Sequence, residues 1–154
     1  MTKTLQLPNE LLVDAESLEQ LGMQLAQQIG PGDVLALVGP LGAGKTTLTR
    51  GLARGLQLDA GAVASPTFAL AHTYRGGDIT LLHLDLYRIA NPAEAEAAGI
   101  EDLLYDAEAV VVVEWPERAL PLIPDSATWL QIDVVAGGRR VEQVLPPKTP
   151  PKIL

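Results

Sequence analysis

The sequence contains no cysteine, so neither a disulfide framework nor a thiolate metal site can form. Its two histidines, His72 and His83, are too few for a zinc site. The N-terminal stretch MTKTLQLPNELL has no apolar signal-like core, and no run approaches the ~20 residues that span a bilayer. The expectation is a soluble, cytoplasmic protein with no membrane partner. Positive charge is also scarce: 11 Lys and Arg stand against 19 Asp and Glu, for a net charge of −8 and a pI of ≈ 4.6. Stand-alone nucleic-acid binders carry a basic face that neutralises phosphates, so any service to a nucleic acid is expected to run through a partner.

What is present suits a globular protein. The 154 residues are 47% hydrophobic and 19% charged, enough for one domain with one core, assigned to residues 1–145. Residues 146–154 belong to the tail PPKTPPKIL, read as disordered and without an assigned role.

Ser17, followed by Leu18, Leu21, Leu25 and Ile29, reads as the cap of an amphipathic helix, with Gln20 completing a capping box and Gly30-Pro31-Gly32 stopping it. Asp33 to Val38 is a short apolar run and reads as a buried strand. Leu48, Leu52 and Leu56 put one apolar stripe on the helix that follows. Gly51 and Gly55 weaken that helix intrinsically, so tertiary packing must hold it. FALAHTYR and DITLLHLD flank Gly76-Gly77 as a hairpin, and ATWLQIDVV and RRVEQVL flank Gly137-Gly138 as another. Asn91 caps a helix from Pro92 to about Ala98. The four valines of AEAVVVVEW suit a parallel strand covered on both faces. The expected fold is α/β: three layers of the phosphate-loop NTPase type, with a mixed, partly parallel sheet and edge hairpins.

Gly39 to Thr46 fits G-x-x-x-x-G-K-[ST], between a strand and an amphipathic helix. Such a turn aims backbone N–H groups and a helix N-terminus at one anion. The candidate nucleotide-binding stretch is Leu41, Gly42, Ala43, Gly44, Lys45, Thr46 and Thr47, with glycines where side chains would block close approach. Lys45 can reach the β- and γ-phosphates, and the Thr46 hydroxyl can ligate Mg²⁺. The nucleotide is ATP or GTP.

Phosphoryl transfer further needs a metal-associated acid and a group that orients the attacking oxygen. Two apolar strands end in acids, LLHLD at Asp85 and VVVVE at Glu114, at the edge where ligands sit in open α/β sheets. Either alone could be an ordinary strand-end cap; beside a phosphate loop they form a candidate pair. Thr67, in the SPTF loop, is either a γ-phosphate sensor or part of a plain turn. Trp115 either stacks near the nucleotide or packs under the loop, and Arg88 meets either a phosphate or a local carboxylate. His83 reads as a strand residue satisfied by a hydrogen bond, and Glu94 to Asp102 as a solvated helix face.

The ordered set LGAGKTT, SPTF, HLDLYR, AGI-ED and EWPE closely resembles the TsaE (YjeE) family of bacterial ATPases, from about Leu5 to Leu145. The resemblance implies a protein required to make threonylcarbamoyladenosine beside the tRNA anticodon. It also implies ATP hydrolysis that is slow alone and coupled to a complex with the TsaD transferase and TsaB, with tRNA met only through that complex. Carried over, Lys45 and Thr46 serve phosphate and Mg²⁺, Glu114 is the Mg²⁺-associated acid and Asp85 the catalytic carboxylate. Thr67 belongs to a switch-like loop, Trp115 lies close to the nucleotide, and Asn9 and Glu10 border the adenine. Members often have an acid at the second loop position, where this chain has Pro40. A small-molecule kinase and a nucleotide-sensing module are the alternatives. The kinase lacks a lid-length insertion gathering the arginines at 50, 54, 75, 88, 118, 139 and 140.

Overall fold

The computed structural model of the chain describes residues 2–66 and 69–147. Its centre is a six-stranded sheet. In chain order the strands are β1 (Val34–Val38), β2 (Ala71–Gly76), β3 (Ile79–Asp85), β4 (Val110–Glu114), β5 (Thr128–Val135) and β6 (Gly138–Val144). Their order across the sheet is β2-β3-β4-β1-β5-β6. The four central strands run parallel, and β2 and β6 add to the edges as antiparallel hairpin partners. This is the mixed sheet expected from the two glycine hairpins and the buried valine run.

Side chains alternate across a strand, so the valine run divides between two cores. Val110 and Val112 join Leu35, Leu37 and Leu81 beneath α1 (Ala15–Leu25) and α2 (Lys45–Gly55). Val111 and Val113 join Val34, Ala36 and Leu84 beneath α3 (Pro92–Ala97), α4 (Ile100–Leu104) and the 3₁₀ segment Pro116–Leu122. The same parity has a functional result. His83 and Asp85 are in step with Leu81, and Glu114 with Val112, so all three face the α2 side of the sheet.

Two helix expectations need correction. α1 is capped by Asp14, not Ser17: the Asp14 carboxylate accepts from the Ser17 N–H at 2.8 Å and the Ser17 hydroxyl at 2.7 Å. Ser17 is the third helical residue, so the capping box with Gln20 does not form. The two Ser17 bonds, side chain first, hold the Asp14 carboxyl below its usual range. The regular helix also ends at Leu25, with turns filling the gap to Gly30. α3 matches its expected cap, with the Glu94 N–H donating to Asn91 Oδ1 at 2.9 Å.

Gly51 and Gly55 cost α2 intrinsic stability, and α1 supplies the reason for them. A Cβ at Gly51 would collide with the Glu19 carbonyl, and one at Gly55 would lie 2.8 Å from the Met23 carbonyl. Gly22 of α1 sits reciprocally against the Leu48 carbonyl. The helices thus meet backbone against backbone, which seats the helix behind the phosphate loop firmly on its neighbour. Before α1, Leu12 bridges β6 through Arg139, each N–H donating to the other's carbonyl at 2.9 Å.

Among the described residues, no helix is long and apolar enough to cross a membrane. Pro146 and Pro147 carry no regular structure; the rest of the expected tail, 148–154, lies outside the described residues.

Candidate functional site: a phosphate loop facing two strand-end acids

β1 ends at Val38 and the chain turns through Gly39–Gly44 into α2. Inside the turn the Ala43 N–H donates to the Pro40 carbonyl at 3.1 Å. Gly44 has φ +112°, in the left-handed region that an L side chain adopts only with strain, and so brings the loop into the first turn of α2. The Pro40 and Leu41 side chains point into solvent, Leu41 being 66% exposed. The loop's shape therefore rests on backbone bonds and glycine, and Pro40 is compatible with it.

Across from the loop, Asp85 and Glu114 are register partners at the ends of β3 and β4. Glu114 Oε2 is shared. It accepts from the Thr46 hydroxyl at 3.1 Å and meets His83 Nε2 at 2.5 Å. The hydrogen bond expected for buried His83 is thus to a site acid, while its Nδ1 lacks a partner among the described residues. Asp85 is 2% exposed and fixed at both oxygens: the Tyr87 N–H donates to Oδ1 and the Ser65 hydroxyl to Oδ2, each at 2.9 Å. Ser65, the first residue of SPTF, thus reaches Asp85. Thr67, the expected sensor, lies outside the described residues.

Lys45 is almost wholly buried. Its ammonium donates to the Gly39 carbonyl at 2.6 Å and sits 3.7 Å from the centroid of a Trp115 ring. Burial pushes its pKa down, partly offset by the negative charges of Glu114, Glu117 and Asp85. Trp115 has φ 58°, rare for a residue with a Cβ, and packs at 5.0 Å against the Tyr87 ring. Trp115 thus packs beside the loop, with its ring against the lysine.

Leu41, Gly42, Gly44, Lys45, Thr46 and Thr47 line a cavity of ≈ 300 Å³ together with Ser65, Asp85, Tyr87, Glu114 and Trp115. The cavity thus gathers every expected loop residue except Ala43, whose side chain is buried beneath. Ala43 instead lines a neighbouring cavity of ≈ 220 Å³, which shares Gly42, Gly44 and Thr47 and is closed by Leu12–Ala15 and Arg139. Glu10 is exposed and lines neither cavity; the N-terminal residues that border the loop begin at Leu12.

Two charged residues escaped the reading of the sequence. Glu117, quoted only within EWPE, holds a buried Oε2 without a partner among the described residues, and burial raises its pKa despite the nearby Lys45 and Arg118 charges. Arg139 donates from Nε to the Ala43 carbonyl at 3.0 Å. The only sequence signal for it is position: it follows directly on the hairpin glycine of β6.

Among the described residues, no three His, Cys, Asp or Glu side chains cluster as a metal cage. Mg²⁺ binds through one or two protein oxygens and completes its shell with water and phosphate. A hydroxyl 3.1 Å from a carboxylate, at the N-terminus of the loop's helix, is a donor pair of that kind.

Comparison with known proteins agrees with the motif set. The family described as "Threonylcarbamoyl adenosine biosynthesis protein TsaE" matches residues 12–141. Relatives named tRNA threonylcarbamoyladenosine biosynthesis protein TsaE include one from Synechocystis, 45% identical over 73% of this chain and 72% of its own. Another, from Nostoc, is 38% identical over 92% of this chain and 87% of its own. The crystal structure of Bacillus subtilis YdiB superimposes with a TM-score of 0.69 at 28% identity, covering 88% of this chain and 82% of that one. With the phosphate loop, its two acids and the matched span all in place, the chain belongs to the TsaE family.

Proposed function

We propose that the protein is a Mg²⁺-dependent ATPase subunit of the machinery that forms threonylcarbamoyladenosine in tRNA, acting on a complex of the TsaD transferase with TsaB. The observation that carries this reading is the convergence of Lys45, Thr46, Glu114 and Asp85 on one cavity in a chain of this family. The net charge of −8 supports the division of labour: the partner complex holds the tRNA, and this chain handles the nucleotide.

The loop backbone and Lys45 bind the phosphates. For that, the Lys45 ammonium exchanges the Gly39 carbonyl and the Trp115 face for phosphate oxygens, contacts it already holds within reach. Thr46 and Glu114 would hold Mg²⁺, which would supply positive charge beside the phosphate oxygens. Asp85, with both oxygens already oriented by Ser65 and Tyr87, holds the attacking water and accepts its proton. His83 keeps the Glu114 carboxylate in its rotamer from below.

The test has two parts. Depleting the protein should lower threonylcarbamoyladenosine in tRNA, and an unchanged level would overturn the pathway assignment. ATP turnover should rise when the TsaD–TsaB complex is added to the purified protein; turnover indifferent to it would leave only a free-standing ATPase.

A further inference from the structure

Arg139 lies on the edge strand β6, 96 residues from the loop it touches. Its backbone is fixed on both sides, paired with Val134 of β5 and bridged to Leu12. With the main chain held, the side chain spreads over three carbonyls. Nε donates to Ala43 O at 3.0 Å, Nη1 to Gly138 O at 3.2 Å, and Nη2 reaches Gly42 O at 3.5 Å.

The Ala43 contact constrains more than one atom. In a trans peptide the carbonyl oxygen and the next N–H point in opposite directions. Drawing the Ala43 oxygen toward Arg139 therefore turns the Gly44 N–H to the other side of the loop. The Ala43 N–H is already given to Pro40, so the Ala43–Gly44 peptide is the one whose orientation Arg139 decides. A guanidinium on the carbonyl also polarises the peptide and makes its N–H a stronger donor. Lysine would supply one donor where arginine supplies a rigid fork.

We infer that Arg139 is a positioning residue for the phosphate loop: it sets the Gly44 N–H toward the nucleotide phosphates and ties the loop to the N-terminal strap through Leu12. The inference rests on the ATP reading for its ligand, and on the geometry alone for its effect on the loop.

The experiment compares Arg139→Gln and Arg139→Lys with the parent chain in two measurements. In nucleotide-free ¹⁵N-labelled protein, the Gly44 amide resonance should shift strongly in Arg139→Gln and partly recover in Arg139→Lys, while the dispersed core resonances remain. In titrations with MgATP, Arg139→Gln should bind about tenfold more weakly, the scale of one charge-assisted hydrogen bond. Arg139→Lys should fall between, and it serves alone if the glutamine variant does not fold. An unmoved Gly44 amide, or equal MgATP affinity in all three proteins, overturns the inference. A parent chain that binds no MgATP, with the Gly44 amide still shifted in the variants, overturns the ATP reading and leaves the loop-positioning role standing.

Discussion

The cavity wall that follows β1 is made of backbone, whereas the wall at the ends of β3 and β4 is made of side chains. On the first wall, carbonyls accept from Lys45, Arg139 and Ala43, and the loop side chains Pro40 and Leu41 face solvent. On the second, side-chain carboxylates are held by named partners, Asp85 by Ser65 and the Tyr87 N–H and Glu114 by Thr46 and His83. The contrast matches the chemistry that the proposed function asks of each. Phosphate oxygens need several donors at fixed spacing, which peptide N–H groups provide. A metal and an attacking water are often held by carboxylates, which side chains supply. Backbone walls should therefore break through added bulk, and side-chain walls through lost charge.

The largest effect is expected at the seat of the backbone wall. Gly51→Val would drive its side chain into the Glu19 carbonyl and force α2 off α1. A loss of about 3 kcal/mol or more is expected, read as a collapse of the thermal or denaturant transition. On the opposite wall, Asp85→Asn keeps the shape and removes the charge. Turnover should fall by about 10²–10⁴, the scale of a lost general base, while MgATP affinity stays within about threefold. A variant that hydrolyses normally would remove Asp85 from the chemistry.

Glu114→Gln loses half of the Thr46–Glu114 donor pair and should raise the Mg²⁺ concentration needed for half-maximal activity by about tenfold. Glu117→Gln sharpens the comparison differently, because Glu117 is a half-buried acid outside the cavity lining. Its folded pKa is raised above the usual 4.5, so the folded state binds this proton more tightly than the unfolded state. Stability is therefore lost as pH rises from near the unfolded value through the raised folded one. The glutamine variant should show a weaker pH dependence and a higher melting temperature near neutrality, converging with the parent in acid. The smallest effect belongs to Leu41→Ser, exposed on the backbone wall, which should change MgATP affinity by no more than about twofold.

The sheet and most of the site were legible because their signals are local. Four valines, two glycine hairpins and acids at strand ends each report on their own few residues, and the register of β3 with β4 brings those acids together. What failed was competition or distance. Asp14 and Ser17 both carry capping oxygens three residues apart, and the sequence does not say which one accepts from the first turn's free N–H. Gly51 and Gly55 read as weak helix formers until the neighbouring carbonyls of α1 are seen against them. Arg139 meets Ala43 only because β6 closes the edge beside the N-terminal strap, a pairing with no local trace.

The placement of the two tryptophans gives the protein an optical readout of its own. Trp129 is 2% exposed within the sheet's second core, so its emission should be a steady background. Trp115 instead lies against the Lys45 ammonium and the Tyr87 ring, beside the cavity. Under the proposed function, phosphates would draw that ammonium away and a charge would leave the indole face, so a fluorescence change on adding MgATP is expected from Trp115. The loop's lysine and its aromatic neighbour would then report nucleotide binding without a label.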